Sequence, residues 1–173
     1  MKKQLIWWII FVVFILEGSL LPWFIPASWQ DHISFHFVYV LILYVALQGR
    51  RHFALALGVS FGFLQDLLYY GHMLGLFTFT MGLGAYSVAL FNQRKPPAFV
   101  GSLLFVIGAL VYLELAVDLL YRLFQINQES FVWTMLHYAL PSLLFNLFFA
   151  AAIYIPIRVL LDKSNKKAKR END

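Results

Sequence analysis

The stretch AFVGSLLFVIGALVYLELAVDLLY, residues 98–121, decides the fold class of this chain. Its only charged side chains are Glu114 and Asp118, and the rest are apolar, small or aromatic. About 20 consecutive apolar residues in a helix cross the hydrocarbon core of a bilayer. The stretch is therefore predicted to be a membrane-spanning helix.

The composition extends this interpretation to the whole chain of 173 residues. Hydrophobic residues make up 61% and charged residues only 13%, against about 25% charged residues in a typical soluble domain, and the mean hydropathy is +0.73. So apolar a chain is not disordered, and the absence of cysteine excludes a disulfide scaffold and a thiolate metal site. The prediction is an all-α, polytopic integral membrane protein.

Six apolar runs, separated by short connections with Gly and Pro, predict six transmembrane helices. The spans are predicted at about residues 5–25, 33–48, 54–70, 73–91, 98–121 and 139–161. Residues 1–161 are thus expected to form one membrane domain, with an interfacial stretch before the sixth span. Residues 162–173 form a basic tail, which either faces anionic lipid or docks a cytoplasmic protein.

The basic residues predict the orientation, because Lys and Arg near helix ends are retained on the cytoplasmic side. The chain has 13 Lys and Arg residues. In the six-helix topology, Arg122 lies on one side of the membrane and all the others lie on the opposite side. Both termini are therefore expected in the cytoplasm, and the protein in a cell membrane that it crosses several times.

Two acids, Glu17 and Asp66, are predicted near the middle of their spans without an intramembrane basic partner. Burying such a group is costly, so each is expected to be protonated, to form hydrogen bonds across helices or to face a wet cavity. A site for a partner or an ion is the functional alternative. Glu114, Asp118 and Arg122 are spaced i, i+4, i+8, which places them on one helical face. Arg122 is expected to neutralise Asp118, and Glu114 has no such explanation.

Small residues indicate where helix backbones approach closely. Gly58 and Gly62 form a small-xxx-small pair in the third run, which favours packing within the chain over packing against another protein. Gly71 and Gly75 have the same spacing but straddle a predicted loop.

No catalytic, cofactor-binding or metal site is predicted, and no nucleic-acid partner. Residues 58–62 match G-x-S-x-G, but that hydrolase motif needs a preceding strand. An intramembrane serine protease using Ser60 and His137 is disfavoured, because the rhomboid family has small residues around this histidine and Leu136 and Tyr138 are bulky. His32 and His36 could bind a metal if helical, but no further ligands lie nearby.

The third and fourth runs resemble the signature of the rod-shape-determining MreD family. The string LGVSFGFLQDLL, residues 57–68, and the Leu74-Gly75 pair place Gly58, Gly62, Asp66 and Gly75 at its motif positions. The length, the six runs and the basic tail agree with that family.

The resemblance implies a non-catalytic scaffold of the bacterial cell-wall elongation machinery, which maintains rod shape and organises peptidoglycan synthesis. It implies a membrane complex with MreC and, through it, links to MreB, RodA and a class B penicillin-binding protein. It also implies a fold similar to the substrate-binding subunits of energy-coupling-factor vitamin transporters, so such a subunit is the alternative function. Those subunits have an Ala-x-x-x-Ala pattern on the first helix, whereas residues 6–16 here are bulky.

One hypothesis places partner contacts at the intramembrane polar residues and the packing glycines. The helix-packing or partner-contact candidates are Glu17, Gly58, Gly62, Asp66, Gly75 and Glu114.

Overall fold

The computed structural model describes residues 2–19, 23, 33–68, 73–92, 97–126 and 129–170, with side chains from residue 4 to residue 159 within these ranges. Most of these residues are helical and none is in a strand, which confirms the all-α prediction. The helices are α1 (Lys2–Ser19), α2 (Phe37–Ala46), α3 (Arg51–Leu68), α4 (Leu76–Phe91), α5 (Phe99–Leu123), α6 (Phe131–Thr134) and α7 (Leu140–Arg170). A π-helical segment, Met135–Ala139, joins α6 to α7.

The central element is α2, whose sequence FVYVLILYVA contains no charged residue. A helix that is apolar on all sides is stable only when it is surrounded. Accordingly, every residue from Val38 to Leu47 is buried, and α2 contacts α1, α3, α4, α5 and α7. The other long helices form a layer around it.

The second predicted span, 33–48, is not helical throughout. Residues 33–36 are non-helical, and α2 contains ten residues, so it is about 15 Å long. The backbone of residues 33–36 therefore needs hydrogen-bond partners other than those of a helix.

Helix α1 has two different faces although its sequence is apolar almost throughout. Ile6, Ile10 and Phe14 are buried at helical spacing, whereas Trp8 is 66% exposed and Val12 50% exposed. The buried face packs against α2. Trp7 is partly buried and lies beside Phe61 of α3, with 5.4 Å between ring centroids.

The last helical run changes its winding before α7. Pro141 lies at the second position of α7, and a proline supplies no backbone N–H and crowds the carbonyl four residues earlier. The π-helical segment Met135–Ala139 covers that carbonyl, at His137. The predicted boundary near residue 139 thus coincides with a change of winding inside a continuous helix.

The surface of the bundle is strongly apolar. Large hydrophobic side chains are exposed on α1, α3, α4, α5 and α7, which a soluble monomer rarely allows over so large an area. By length and composition, two helical stretches could cross a membrane, Phe99–Leu123 and Phe131–Val159, and three shorter apolar helices accompany them. The six-span topology and the tail, whose side chains lie outside the described residues, remain predictions.

Candidate functional site

The two glycines of α3 bring its backbone into contact with that of α4. A Cβ atom on Gly62 would lie 2.5 Å from the carbonyl oxygen of Phe77, and one on Gly58 would lie 2.8 Å from that of Met81. No side chain fits into either gap. Gly58 and Gly62 therefore pack against the backbone of α4 in the same chain.

Asp66 caps the N-terminus of α4 from the neighbouring helix α3. Its Oδ1 accepts a hydrogen bond from the backbone N–H of Phe77 (3.0 Å), and its Oδ2 accepts from the N–H of Thr78 (2.9 Å) and from its hydroxyl (2.6 Å). The first N–H groups of a helix have no partner within that helix, and the helix dipole favours an anion beside them. The buried carboxylate is thus used to start α4.

Gly75 is the N-cap residue of α4 and has a φ angle of +96°. This left-handed conformation is readily adopted by glycine alone, and a Cβ would meet nothing within 4 Å. Gly75 therefore serves the turn into α4 and not a helix contact. Its predicted companion, Gly71, lies outside the described residues.

Glu17 has the same kind of role at the start of α2. Its Oε2 accepts a hydrogen bond from the N–H of Val38 (2.9 Å), and its Oε1 accepts from Nε2 of Gln65 (3.2 Å). His36, the N-cap residue of α2, has no side-chain capping bond of its own. Two short helices, α2 and α4, are therefore both capped by an acid from another helix.

The non-helical residues before α2 are hydrogen-bonded by α7. The N–H of Ser34 donates to Oγ of Ser142 (2.9 Å), and the N–H of His36 donates to Oδ1 of Asn146 (2.8 Å). Nδ2 of Asn146 donates to the carbonyl oxygen of Ser34 (3.0 Å). Because Asn146 is fully buried, it supplies hydrogen bonds where water is excluded.

Glu114 of α5 lies beside His36, the N-cap residue of α2. Its Oε1 is 3.6 Å from Nε2 of His36. Together with Glu17 and Gln65, these residues form a polar cluster between α1, α3, α5 and the chain before α2. Within the described residues, Nδ1 of His36, Oε1 of Gln65 and Oε1 of Glu114 have no hydrogen-bond partner.

The predicted neutralisation of Asp118 by Arg122 is confirmed, with 2.7 Å between Nε and Oδ2. Arg122 also donates to the carbonyl oxygen of Glu129 (2.6 Å) and to the hydroxyl of Thr134 (3.3 Å). It therefore ties the end of α5 to α6 and to the chain just before it.

The residues considered for catalysis or metal binding do not assemble a site in the described part of the chain. Ser60 lies within α3 and not on a strand-to-helix turn. The ring of His137 stacks on Trp133, and its Nδ1 lies 3.1 Å from the carbonyl oxygen of that residue. His32 is outside the described residues, and among those described no three His, Cys, Asp or Glu side chains form a metal-binding group.

Three residues that form side-chain hydrogen bonds around the start of α2 were not identified from the sequence: Gln65, Ser142 and Asn146. Each is a polar residue inside an apolar run, and that isolation is the signal that could have identified it. The signal is weaker than for an acid, because an uncharged side chain costs less to bury.

The chain matches a known protein family. The family described as rod shape-determining protein MreD matches residues 1–164 of the 173-residue chain. No curated protein and no solved structure matches the chain. The match covers the packing glycines, the capping acids and the segment before α2. The chain therefore belongs to the MreD family of rod shape-determining proteins.

Proposed function

We propose that this chain is a non-catalytic membrane scaffold that binds MreC and helps to organise peptidoglycan synthesis in the elongation complex. Membership of the MreD family gives the chain a role in rod shape determination. The proposal adds the partner, the six-span topology and cytoplasmic termini. It also includes indirect links to MreB, RodA and a class B penicillin-binding protein.

The scaffold proposal rests on the hydrogen bonds that the two intramembrane acids form within the bundle. Glu17 and Asp66 are directed at backbone N–H groups of α2 and α4. An acid that bonds the N-terminus of another helix fixes the position of that helix in the bundle. A bundle locked in this way suits a protein that positions others.

The partner hypothesis changes in one respect. Both carboxylates contact their own chain, which leaves neither Glu17 nor Asp66 directed at MreC in this proposal. We place the contact with MreC on the exposed apolar faces of the outer helices. The two acids then support the complex indirectly, by keeping these faces in their relative positions.

Affinity purification of the tagged full chain from its native membrane tests the partner. We expect MreC and wall synthases to be recovered in mild detergent, as measured by protein mass spectrometry. Small molecules in the same eluate are analysed as well. Recovery of an ATPase module or a stoichiometric vitamin-like ligand, without MreC, would replace the scaffold by the transporter alternative.

The topology has a separate test, because the chain contains no cysteine that would have to be removed first. Single cysteines at Gly49, Gln93 and Asn127 are treated with a membrane-impermeant maleimide in spheroplasts. We expect labelling at position 127 in intact spheroplasts and labelling at 49 and 93 only after lysis. Labelling at 49 or 93 before lysis would contradict the proposed orientation.

A further inference from the structure

The polar cluster at the start of α2 is assembled from four separate segments of the chain. Glu17 comes from α1, Gln65 from α3 and Glu114 from α5, and His36 is the N-cap residue of α2. Glu17, His36 and Gln65 are each at most 6% exposed, and the side chain of Glu114 is 16% exposed. The cluster therefore lies inside the bundle.

Three side-chain atoms of this cluster lack a hydrogen-bond partner among the described residues. They are Nδ1 of His36, Oε1 of Gln65 and Oε1 of Glu114, and all three are shielded from solvent. An unpaired buried polar atom is costly. Nearly all such atoms in folded proteins have a partner, and an ordered water molecule often supplies it. The three atoms therefore need a partner other than the described side chains.

The second intramembrane acid shows that the bundle satisfies its buried polar groups elsewhere. Both oxygens of Asp66 accept hydrogen bonds from the start of α4. Among the described residues, the one other unpaired buried side-chain atom is the hydroxyl of Tyr39, which packs against Gly84. The unpaired atoms are thus concentrated in the cluster around His36.

The geometry of the cluster leaves its own groups unable to satisfy one another. Nε2 of His36 is 3.6 Å from Oε1 of Glu114, which is too long for a direct hydrogen bond. The backbone N–H of His36 is bonded to Asn146 of α7, and its ring centroid is 6.1 Å from that of Phe77 in α4. These contacts hold His36 in place, so a third group is needed to bridge the pair.

The chemistry of the three atoms selects water as that group. The amide orientation of Gln65 follows from the bond that its Nε2 donates to Glu17, which leaves its Oε1 as an acceptor. Oε1 of Glu114 is a second acceptor, and Nδ1 of His36 donates in the tautomer that carries its proton there. A water molecule donates two hydrogen bonds and accepts others, so it matches two acceptors and one donor.

A metal cation fits the cluster less well. It would be bound by several oxygen ligands at once, and among the described residues no three His, Cys, Asp or Glu side chains are grouped to hold one. We propose that the polar cluster binds a buried water molecule that bridges His36, Gln65 and Glu114. This water links α3 and α5 to the start of α2. Of the two intramembrane acids, Glu17 then belongs to a hydrated site and Asp66 to a dry one.

The first test detects the water in the unaltered chain and so does not depend on the folding of a variant. The full chain in phospholipid nanodiscs is exposed to a short X-ray pulse, which converts water to hydroxyl radicals that oxidise the nearest side chains. We expect oxidation at His36, although it is buried, as measured by peptide mass spectrometry. Met81, which is fully buried in the apolar core and has a readily oxidised thioether, should stay unmodified.

The second test removes one of the acceptors. Glu114→Leu should abolish the oxidation of His36 and bring it to the level of Met81. Glu114→Gln keeps an acceptor oxygen and should retain most of the oxidation. Leu115→Ile is the matched control, because this neighbouring position on α5 is 40% exposed, and it should leave the oxidation of His36 unchanged.

A third measurement separates water from a monovalent cation. The melting temperature of the unaltered chain in mild detergent should be the same in sodium chloride and in choline chloride of equal concentration. A higher melting temperature in sodium chloride that Glu114→Leu abolishes would assign the cluster to a cation and overturn the assignment of water.

Two oxidation results would also overturn the proposal. The first is an unmodified His36 in the unaltered chain, and the second is equal oxidation of His36 in the unaltered chain and in Glu114→Leu. Recovery of MreC in the affinity purification is independent of all these results.

Discussion

Replacing Asp66 by alanine should be among the most destabilising single changes in this chain outside the apolar core. The carboxylate accepts three hydrogen bonds at the start of α4, at 3.0, 2.9 and 2.6 Å. Alanine removes all three and leaves two backbone N–H groups without an acceptor. Water cannot readily replace it, because Asp66 is only 4% exposed.

The magnitude follows from two contributions. A lost hydrogen bond to a charged group costs about 1.5–3 kcal/mol, and a lost helix cap costs about 0.5–2 kcal/mol. Together they give an expected decrease of about 2–5 kcal/mol in the free energy of unfolding. Asp66→Asn should lose less, because one oxygen remains, although its NH₂ group then faces an N–H donor.

The assay is unfolding in mixed micelles of mild detergent and dodecyl sulfate, followed by tryptophan fluorescence. Thr78→Val removes only the hydroxyl and should cost about 0.6 kcal/mol, the average for side-chain hydrogen bonds in membrane proteins. In the Asp66→Ala/Thr78→Val double variant, the Thr78→Val change should lower the unfolding free energy almost no further than Asp66→Ala alone. The acceptor of the Thr78 hydroxyl, Asp66, is already absent. Leu67→Ala, at a half-exposed neighbouring position, is the control and should cost at most about 1 kcal/mol.

Hydrogen exchange supplies the result that would refute the capping argument. The amides of Phe77 and Thr78 should exchange much faster in Asp66→Ala than in the unaltered chain. Asp66 does not cap α4 if both amides stay protected in Asp66→Ala and if this variant loses less unfolding free energy than Leu67→Ala does.

Three further predictions concern the packing and the other buried polar contacts. Gly62→Ala should lower the unfolding free energy by about 1–3 kcal/mol, because its Cβ meets the α4 backbone, whereas Gly108→Ala, whose Cβ would have nothing within 4 Å, should be neutral or stabilising in detergent. Asn146→Ala should cost about 1–3 kcal/mol and speed amide exchange at His36, whose N–H it bonds. Glu17→Gln, which keeps an acceptor for Val38, should retain most of the stability that Glu17→Ala loses.

A specific result would contradict each of these three predictions. Equal effects of alanine at Gly62 and Gly108 would contradict the backbone contact between α3 and α4. Unchanged exchange at His36 in Asn146→Ala would show that residues 33–36 are held by other contacts. Equal losses for the two Glu17 variants would assign the role of Glu17 to its charge and not to hydrogen bonding.

The packing glycines and the buried acids could be recognised in the sequence because each conflicts with its surroundings. Gly58 and Gly62 weaken a helix unless something approaches closely, and an acid in an apolar run needs a partner. The spacing of Asp118 and Arg122 was enough to predict their ion pair, since four residues make one turn. Glu114 has the same spacing from Asp118, and its contact with His36 on another segment could not be predicted from it.

The sequence by itself determined that the chain is helical, strongly apolar and a member of the MreD family, because composition and local motifs carry that information. Only the tertiary structure decided which face of α1 is buried, since Ile6 and Trp8 are both apolar and show no contrast. It alone identified the partners of Glu17 and Asp66, which are backbone N–H groups at the starts of α2 and α4. Every residue but proline has such a group, so residue identity cannot reveal which ones lack a partner. That depends on where each helix begins and on what packs beside it.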